Sequence, residues 1–268
     1  MADRRLSLDH ISVTDTTPWQ LVELAAETGC AGVCPFLHSM AVLPAMPEYD
    51  LVRDAGARAK TRAALAATGV TVDLIYPFTL AGRTVVADFA PALEAGAELG
   101  APLANVLCYD RDPVRRREKL AELATLAASF DIALAIEFYP PSQLRTLGET
   151  IEEIGQIGRA DIGITLDLLH VMRGGDAAAS LQQLAHPLIR IAQIADGPAA
   201  IGADRLEWEA GIQRMLPGEG VFDIAGFLAA LAPEISVSVE TPQQSGIDSG
   251  LTPIERTRAA VEAMRRFL

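Results

Sequence analysis

Residues 103–138, LANVLCYDRDPVRRREKLAELATLAASFDIALAIEF, carry the pattern that decides the fold. Two short apolar runs, at 103–108 and 132–138, read as strands buried on both faces. Between them, residues 113–130 place apolar side chains at helical spacing behind Pro113. Strand, helix and strand in such close succession is the unit of a parallel sheet.

Working outward, the unit repeats along the chain. Strands are predicted at 8–13 (LDHISV), 31–36, 70–76 (VTVDLIY), 162–166, 188–194 (LIRIAQI) and 235–239 (ISVSV). Helices are predicted at 18–29 behind Thr17, 49–68 before Gly69, 85–99 before Gly100, 142–157, 177–184, 222–231 and 253–267, with a long loop at 196–220. Eight strand–helix units in 268 residues match the size and order of a (β/α)8 TIM barrel, a single domain spanning 1–268. A doubly wound open sheet is the alternative, because a missed or extra strand would mimic it.

Composition narrows the function. Half the residues are hydrophobic, enough for a full interior and against disorder. The net charge of −13 repels polyanions, so no nucleic-acid partner is expected. No apolar run reaches membrane-spanning length and the N-terminus lacks a signal region, so no membrane partner is expected and a cytoplasmic location is. Cys30, Cys34 and Cys108 fit neither a zinc motif nor a disulfide framework and read as reduced, buried thiols. Lys60 and Lys119, the only lysines, both lie in helical sequence, which argues against a Schiff-base lysine at a strand end. No strand is followed by a glycine-rich nucleotide loop.

In a barrel of this kind, catalytic groups stand at the carboxyl ends of the strands. Glu137 ends ALAI, Asp167 ends GITL, Gln193 lies in RIAQIAD and Glu240 ends VSV. They come from neighbouring strands five to eight and can converge on one point. Three carboxylates together repel one another without a cation, so one divalent metal ion held by Glu137, Asp167, Gln193 and Glu240 is expected. His170, three residues after Asp167, stands above that point, within reach of a bound substrate. His10, in strand one, reads as a pocket-wall residue in contact with substrate, and His38 and His186 read as loop residues. In the 196–220 loop, Arg205 and Trp208 are expected to bind substrate. Arg214 reads either as a phosphate or carboxylate ligand or as an ordinary surface arginine.

These residues, within the motifs AIEF (135–138), TLDLLH (165–170), QIADGP (193–198), PGEGVFD (217–223) and SVET (238–241), resemble the xylose isomerase-like barrel superfamily over nearly the whole chain. The resemblance implies that Glu137 and Glu240 bind metal and move protons, that Asp167 is a pure ligand, and that His170 contacts substrate oxygens. It places Gln193 where a histidine ligand usually stands. An amide oxygen is harder than imidazole, so Mn²⁺ is the metal expected, ahead of Mg²⁺, Co²⁺ or Zn²⁺. Ala199 and Gln143 replace an arginine and a glutamate typical of ketose 3-epimerases, which weakens that assignment. The strand ends Tyr76-Pro77 and Cys108-Tyr109 lack the histidines of the superfamily's DNA-repair nucleases.

The reaction expected is isomerisation or epimerisation of a small sugar or sugar-like polyol, by proton abstraction next to a carbonyl through an enediolate. The alternative is a lyase or dehydratase, in which a β-leaving group departs from a keto sugar, an oxidised glycoside or a dehydroshikimate-like compound. A barrel that binds a ligand without metal or catalysis is a third reading. Apolar helical stretches such as 92–99 serve either the barrel or a homo-oligomer, a dimer or tetramer.

Overall fold

The computed structural model describes residues 4–175 and 187–268; the helix expected at 177–184 and His186 lie outside the described residues. Every strand pairing is parallel. β1 (Leu6–Asp9), β2 (Gly32–Cys34), β3 (Thr71–Val72), β4 (Ile75–Leu80), β5 (Leu103–Cys108), β6 (Ala133–Glu137), β7 (Ile162–Asp167), β8 (Ile189–Ile194) and β9 (Ser236–Val239) lie in the order β3-β2-β1-β9-β8-β7-β6-β5-β4. β3 and β4 are consecutive in the chain and make up the third barrel strand, so the order is a ring. Its seam is joined by a parallel bridge between Phe36 and Tyr76, with the Leu37 amide 2.8 Å from the Tyr76 carbonyl. This is a TIM barrel, and the open-sheet alternative does not hold.

The helices are α1 (Pro18–Glu27), α2 (Ala55–Thr68), α3 (Ala90–Glu98), α4 (Pro113–Ala128), α5 (Leu147–Ile157), α6 (Leu168–Gly174), α7 (Leu206–Gly211), α8 (Ile224–Ala230), α9 (Gln244–Asp248) and α10 (Pro253–Arg265). Their starts follow local chemistry. The Asp54 side chain accepts the Gly56 and Ala57 amides and starts α2, so the helix expected from 49 begins six residues later. Asp112 caps α4 in the same way, in front of Pro113.

The first strand is shorter than expected. The Asp9 carboxylate accepts the Ile11 amide and turns residues His10–Val13 into a 3-10 helix, so only the first two residues of the run LDHISV are strand. The third strand is interrupted at Asp73 and Leu74 and runs on to Leu80. Two short helices, α6 and α9, and a third, α7, inside the expected 196–220 loop were not legible as periodic stretches.

Every residue of β7 is buried, as a strand between barrel interior and helices must be. Leu8, Val33, Val106, Leu134, Ile136, Ile164, Leu166 and Val237 are among the fully buried strand residues. The three cysteines are free and buried. No helix among the described residues is long and apolar enough to cross a membrane.

Candidate active site

β6 and β7 end on Glu137 and Asp167, Gln193 is the penultimate residue of β8, and Glu240 follows β9 directly. The register sets Asp167 beside Gln193 and Gln193 beside Ser238, with Glu137 beside Thr165, so the strand ends are staggered around the mouth. All four side chains are buried, Asp167 and Gln193 completely. Asp167 also caps α6, accepting the Leu169 amide at 2.8 Å, and the first turn of that helix carries His170 back over the cluster. His170 Nε2 lies 3.1 Å from Glu137 Oε1 and 3.3 Å from Asp167 Oδ2. Ligand atoms of Glu137, Asp167 and His170 all lie within 4.8 Å of one another.

Arg214 completes the centre. Its Nη1 donates to Asp167 Oδ2 and to Glu240 Oε2, each at 2.9 Å, and the residue is 4% exposed. This overturns the reading of Arg214 as a surface arginine. The loop that carries it is held by two of the family-like motifs docking on each other. Asp196 accepts the amides of Gly197, Gly218 and Phe222, and pairs with Met215 as a two-residue bridge. A Cβ on Gly220 would meet Asp196 Oδ1 at 2.3 Å, so the glycine permits this approach.

The electrostatics are unbalanced. Burial, the dominant influence, pushes the Glu240 carboxyl well above the usual range; the charges of Asp167, Asp9 and Glu137 add to this while Arg214 opposes it. Burial acts upward on Asp167 too, but Arg214 and His170 outweigh it and hold that carboxyl below its ordinary value. Three carboxyl groups thus face one guanidinium. Beside them, Gln193 Oε1 is a buried acceptor without a hydrogen-bond partner. Surplus negative charge and an orphaned hard oxygen are what a divalent cation would complement, so these residues fit such an ion.

Three further polar residues belong to the floor. Asn105 of β5 donates to Glu137 Oε2 and accepts from Thr165 Oγ1 at 2.6 Å. Tyr76 of β4 donates to Asp9 Oδ2 at 2.8 Å. Burial above all raises the Asp9 carboxyl to about 7, against the hydrogen bonds from Tyr76, Ile11 and Gln193. Of these, Asp9 had a sequence signal, a carboxylate ending an apolar pair, which the longer strand assignment concealed.

Above the floor lies a cavity of about 510 Å³ lined by Glu137, His170, Arg214, Glu240, Asn105 and Tyr76 below and by apolar and aromatic residues around, including Phe36, Phe78 and Ile212. Trp208 stands exposed at its rim on α7. Arg205 does not line the cavity; its guanidinium lies 4.0 Å over the Trp208 ring. His10 does not line it either. Its ring is fully buried, with Nε2 3.0 Å from the Thr16 carbonyl and Nδ1 receiving the Phe36 amide at 3.3 Å, so it supports the wall from behind.

The chain is a parallel barrel with carboxylates, an amide and a histidine gathered at the carboxyl ends of its strands. The sequence profile described as xylose isomerase-like TIM barrel matches residues 22–267, and the chain belongs to that family. It is 26% identical to a 3-dehydroshikimate dehydratase of Pseudomonas aeruginosa over 98% of this chain and 41% of that protein. It is 25% identical to an inosose isomerase of Bacillus velezensis over 56% of this chain and 55% of that one. The chain therefore spans about half the length of the curated relatives it matches. Among solved structures, the IOLI protein with a bound zinc atom superposes with a TM-score of 0.79 at 18% identity, covering 98% of this chain and 97% of that one.

Proposed function

We propose that this chain is a divalent-metal-dependent enzyme that removes a proton next to the ketone of a cyclic, sugar-like polyol, and that the outcome is loss of water. The observation that carries the proposal is the cluster beneath the cavity, where three carboxyl groups gather about one arginine and the neighbouring strand holds an orphaned amide oxygen. Asp167, Gln193, Glu240 and Glu137 would hold the ion, which supplies the electrophile that polarises the ketone oxygen.

Glu137 and His170, hydrogen-bonded to each other at 3.1 Å and both facing the cavity, form the proton-moving pair. They take the proton from carbon as the C–H bond breaks. The electron pair becomes the new carbon–carbon double bond, and the hydroxyl on the neighbouring carbon leaves with the proton as water. Arg214 stands ready for an anionic substituent of the substrate.

Two things favour elimination over isomerisation. The dehydratase relative matches 98% of this chain, the inosose isomerase 56%. The walls above the polar floor carry Ile11, Phe36, Phe78, Leu107 and Ile212, which suit a ring about to become flat and aromatic better than a chain with a hydroxyl on every carbon. Isomerisation is the second reading, and rests on the inosose isomerase relative.

The test is incubation of the Mn²⁺-loaded protein with 3-dehydroshikimate, following the absorbance of the dihydroxybenzoate product. Turnover that falls about 10²- to 10⁴-fold in Glu137→Gln and His170→Asn supports the proposal. Exchange of solvent deuterium into an inosose without elimination selects isomerisation. Neither activity with Mn²⁺, Mg²⁺, Co²⁺ or Zn²⁺ overturns both.

A further inference from the structure

Gln193 can present either end of its amide to the site, and only the oxygen binds a cation. The end that faces inward is decided on the other side of the residue. Gln193 Nε2 donates to the Tyr76 hydroxyl oxygen at 2.5 Å and approaches Asp9 Oδ2 at 3.3 Å. Tyr76 in turn uses its own proton on Asp9 Oδ2, at 2.8 Å. All three side chains are buried, Asp9 and Gln193 completely.

With Asp9 ionised, donor and acceptor counting leaves one arrangement. Asp9 Oδ1 is occupied by the Ile11 amide and Oδ2 takes the Tyr76 proton, so the tyrosine oxygen is left as an acceptor. Two acceptors therefore face Gln193, and its NH2 group satisfies both. With the amide reversed, its oxygen would lie against a carboxylate oxygen and a phenol oxygen that has no proton to give. The observed arrangement instead leaves Oε1 unpartnered on the side away from Asp9 and Tyr76.

We infer that Asp9 and Tyr76 are positioning residues that orient the Gln193 amide and thereby make it an oxygen ligand. They act through Gln193 alone and touch neither ion nor substrate in that role. The strand carrying Tyr76 borders the barrel seam and the strand carrying Asp9 lies beyond β2 on its other side, so the side of the barrel without ligand carboxylates sets the chemistry of the side that has them. The inference rests on the proposed metal dependence, and its test separates the two.

Mn²⁺ binding to the metal-stripped protein is measured by calorimetry, with thermal melting as a control for folding. In Asp9→Asn, one oxygen must serve both the Ile11 amide and the Tyr76–Gln193 pair. Mn²⁺ affinity is expected to fall about 10- to 100-fold. Tyr76→Phe removes one acceptor and little volume, and is expected to lower affinity by a smaller factor without loss of fold. The deciding variant is Asp9→Asn with Gln193→Glu. It exchanges amide and carboxylate between neighbours at constant charge, and a glutamate has an oxygen on both sides. Affinity restored to within a few-fold of the original supports the orientation role. Affinity unchanged in Asp9→Asn and Tyr76→Phe, or lost and not recovered in the exchange variant, overturns it. A wild-type protein that binds no Mn²⁺, Mg²⁺, Co²⁺ or Zn²⁺ overturns the metal-dependent reading itself, and the inference with it.

Discussion

Two buried arginines of this chain meet carboxylates in opposite ways. Arg116, on α4, donates to Glu153 of α5 at 2.6 Å, and Arg117 adds a second contact at 3.3 Å, so one carboxylate has two cations. Arg214, at the barrel mouth, is the single guanidinium among Asp167, Glu240 and Glu137 within the described residues. The first arrangement is complete in itself and ties two outer helices together. The second is left with too few cations at its strand ends, and that deficit is what marks it as a candidate binding site rather than a buried brace.

The sharpest way to break this comparison is to remove each arginine in turn. Arg214→Met leaves three carboxyl groups without a cation and is expected to destabilise the metal-free protein by about 3–5 kcal/mol. Arg116→Met is expected to cost about 3 kcal/mol, the lower end of the same range, because Arg117 remains on Glu153. Chemical unfolding with and without Mn²⁺ then separates them. The ion should recover stability in the Arg214 variant and do nothing for the Arg116 variant. Equal recovery in both, or in neither, would erase the distinction.

His10 sharpens the contrast from a third side, as a buried ionisable group that avoids charge. Burial, above the opposing pull of the Thr16 hydrogen bond and Asp15, lowers its imidazole from 6.5 to about 4. Nε2–H donates to the Thr16 carbonyl and Nδ1 accepts from Phe36, which only the neutral ring can do. Between pH 6.5 and 4 the unfolded chain takes up a proton that the folded chain refuses. The contribution is therefore whole above pH 6.5 and lost as the pH falls towards 4, on the order of 3 kcal/mol in all. Urea unfolding of wild type and His10→Gln across that range should show the acid loss reduced in the variant; parallel curves would assign it elsewhere.

At the exposed rim the effects should be smallest. Arg205→Ala removes the guanidinium over Trp208 and is expected to change KM by about two- to fivefold, the 0.5–1 kcal/mol of an exposed cation–π contact, with kcat unchanged.

How much of this was legible in the sequence depends on how far each residue's partners lie along the chain. Glu137, Asp167, Gln193 and Glu240 could be found because each interrupts an apolar strand at its end, a local signal. The barrel itself was legible for the same reason, as repeated local alternation. Asp9 was missed because the apolar run continues through Val13 and conceals the turn that the Asp9 carboxylate itself starts. Asn105 sits inside an apolar strand and looks like a packing residue, and Tyr76, at the end of the run read as the third strand, carries no charge to mark it. Arg214 offered least, since its partners are 47 and 26 residues away and its burial follows from the docking of Asp196 on the loop at Gly218 and Phe222. His10 faces away from the cavity, an orientation that side-chain identity does not encode.

The joint at Asp167 has a consequence for how such a chain can be lengthened. β7 ends on this residue and α6 begins on the next, with the one carboxylate ending the strand, capping the helix and meeting Arg214. No connecting residue stands between the two elements, so an inserted one would break three relationships together. The 196–220 segment is different, being a long connection held at separate points, by Asp196 on Gly218 and Phe222, by Arg173 on Glu209, and by Arg214 on Asp167 and Glu240. New sequence, whether accumulated in descent or grafted by an engineer to reshape the rim, has room there and none at 167.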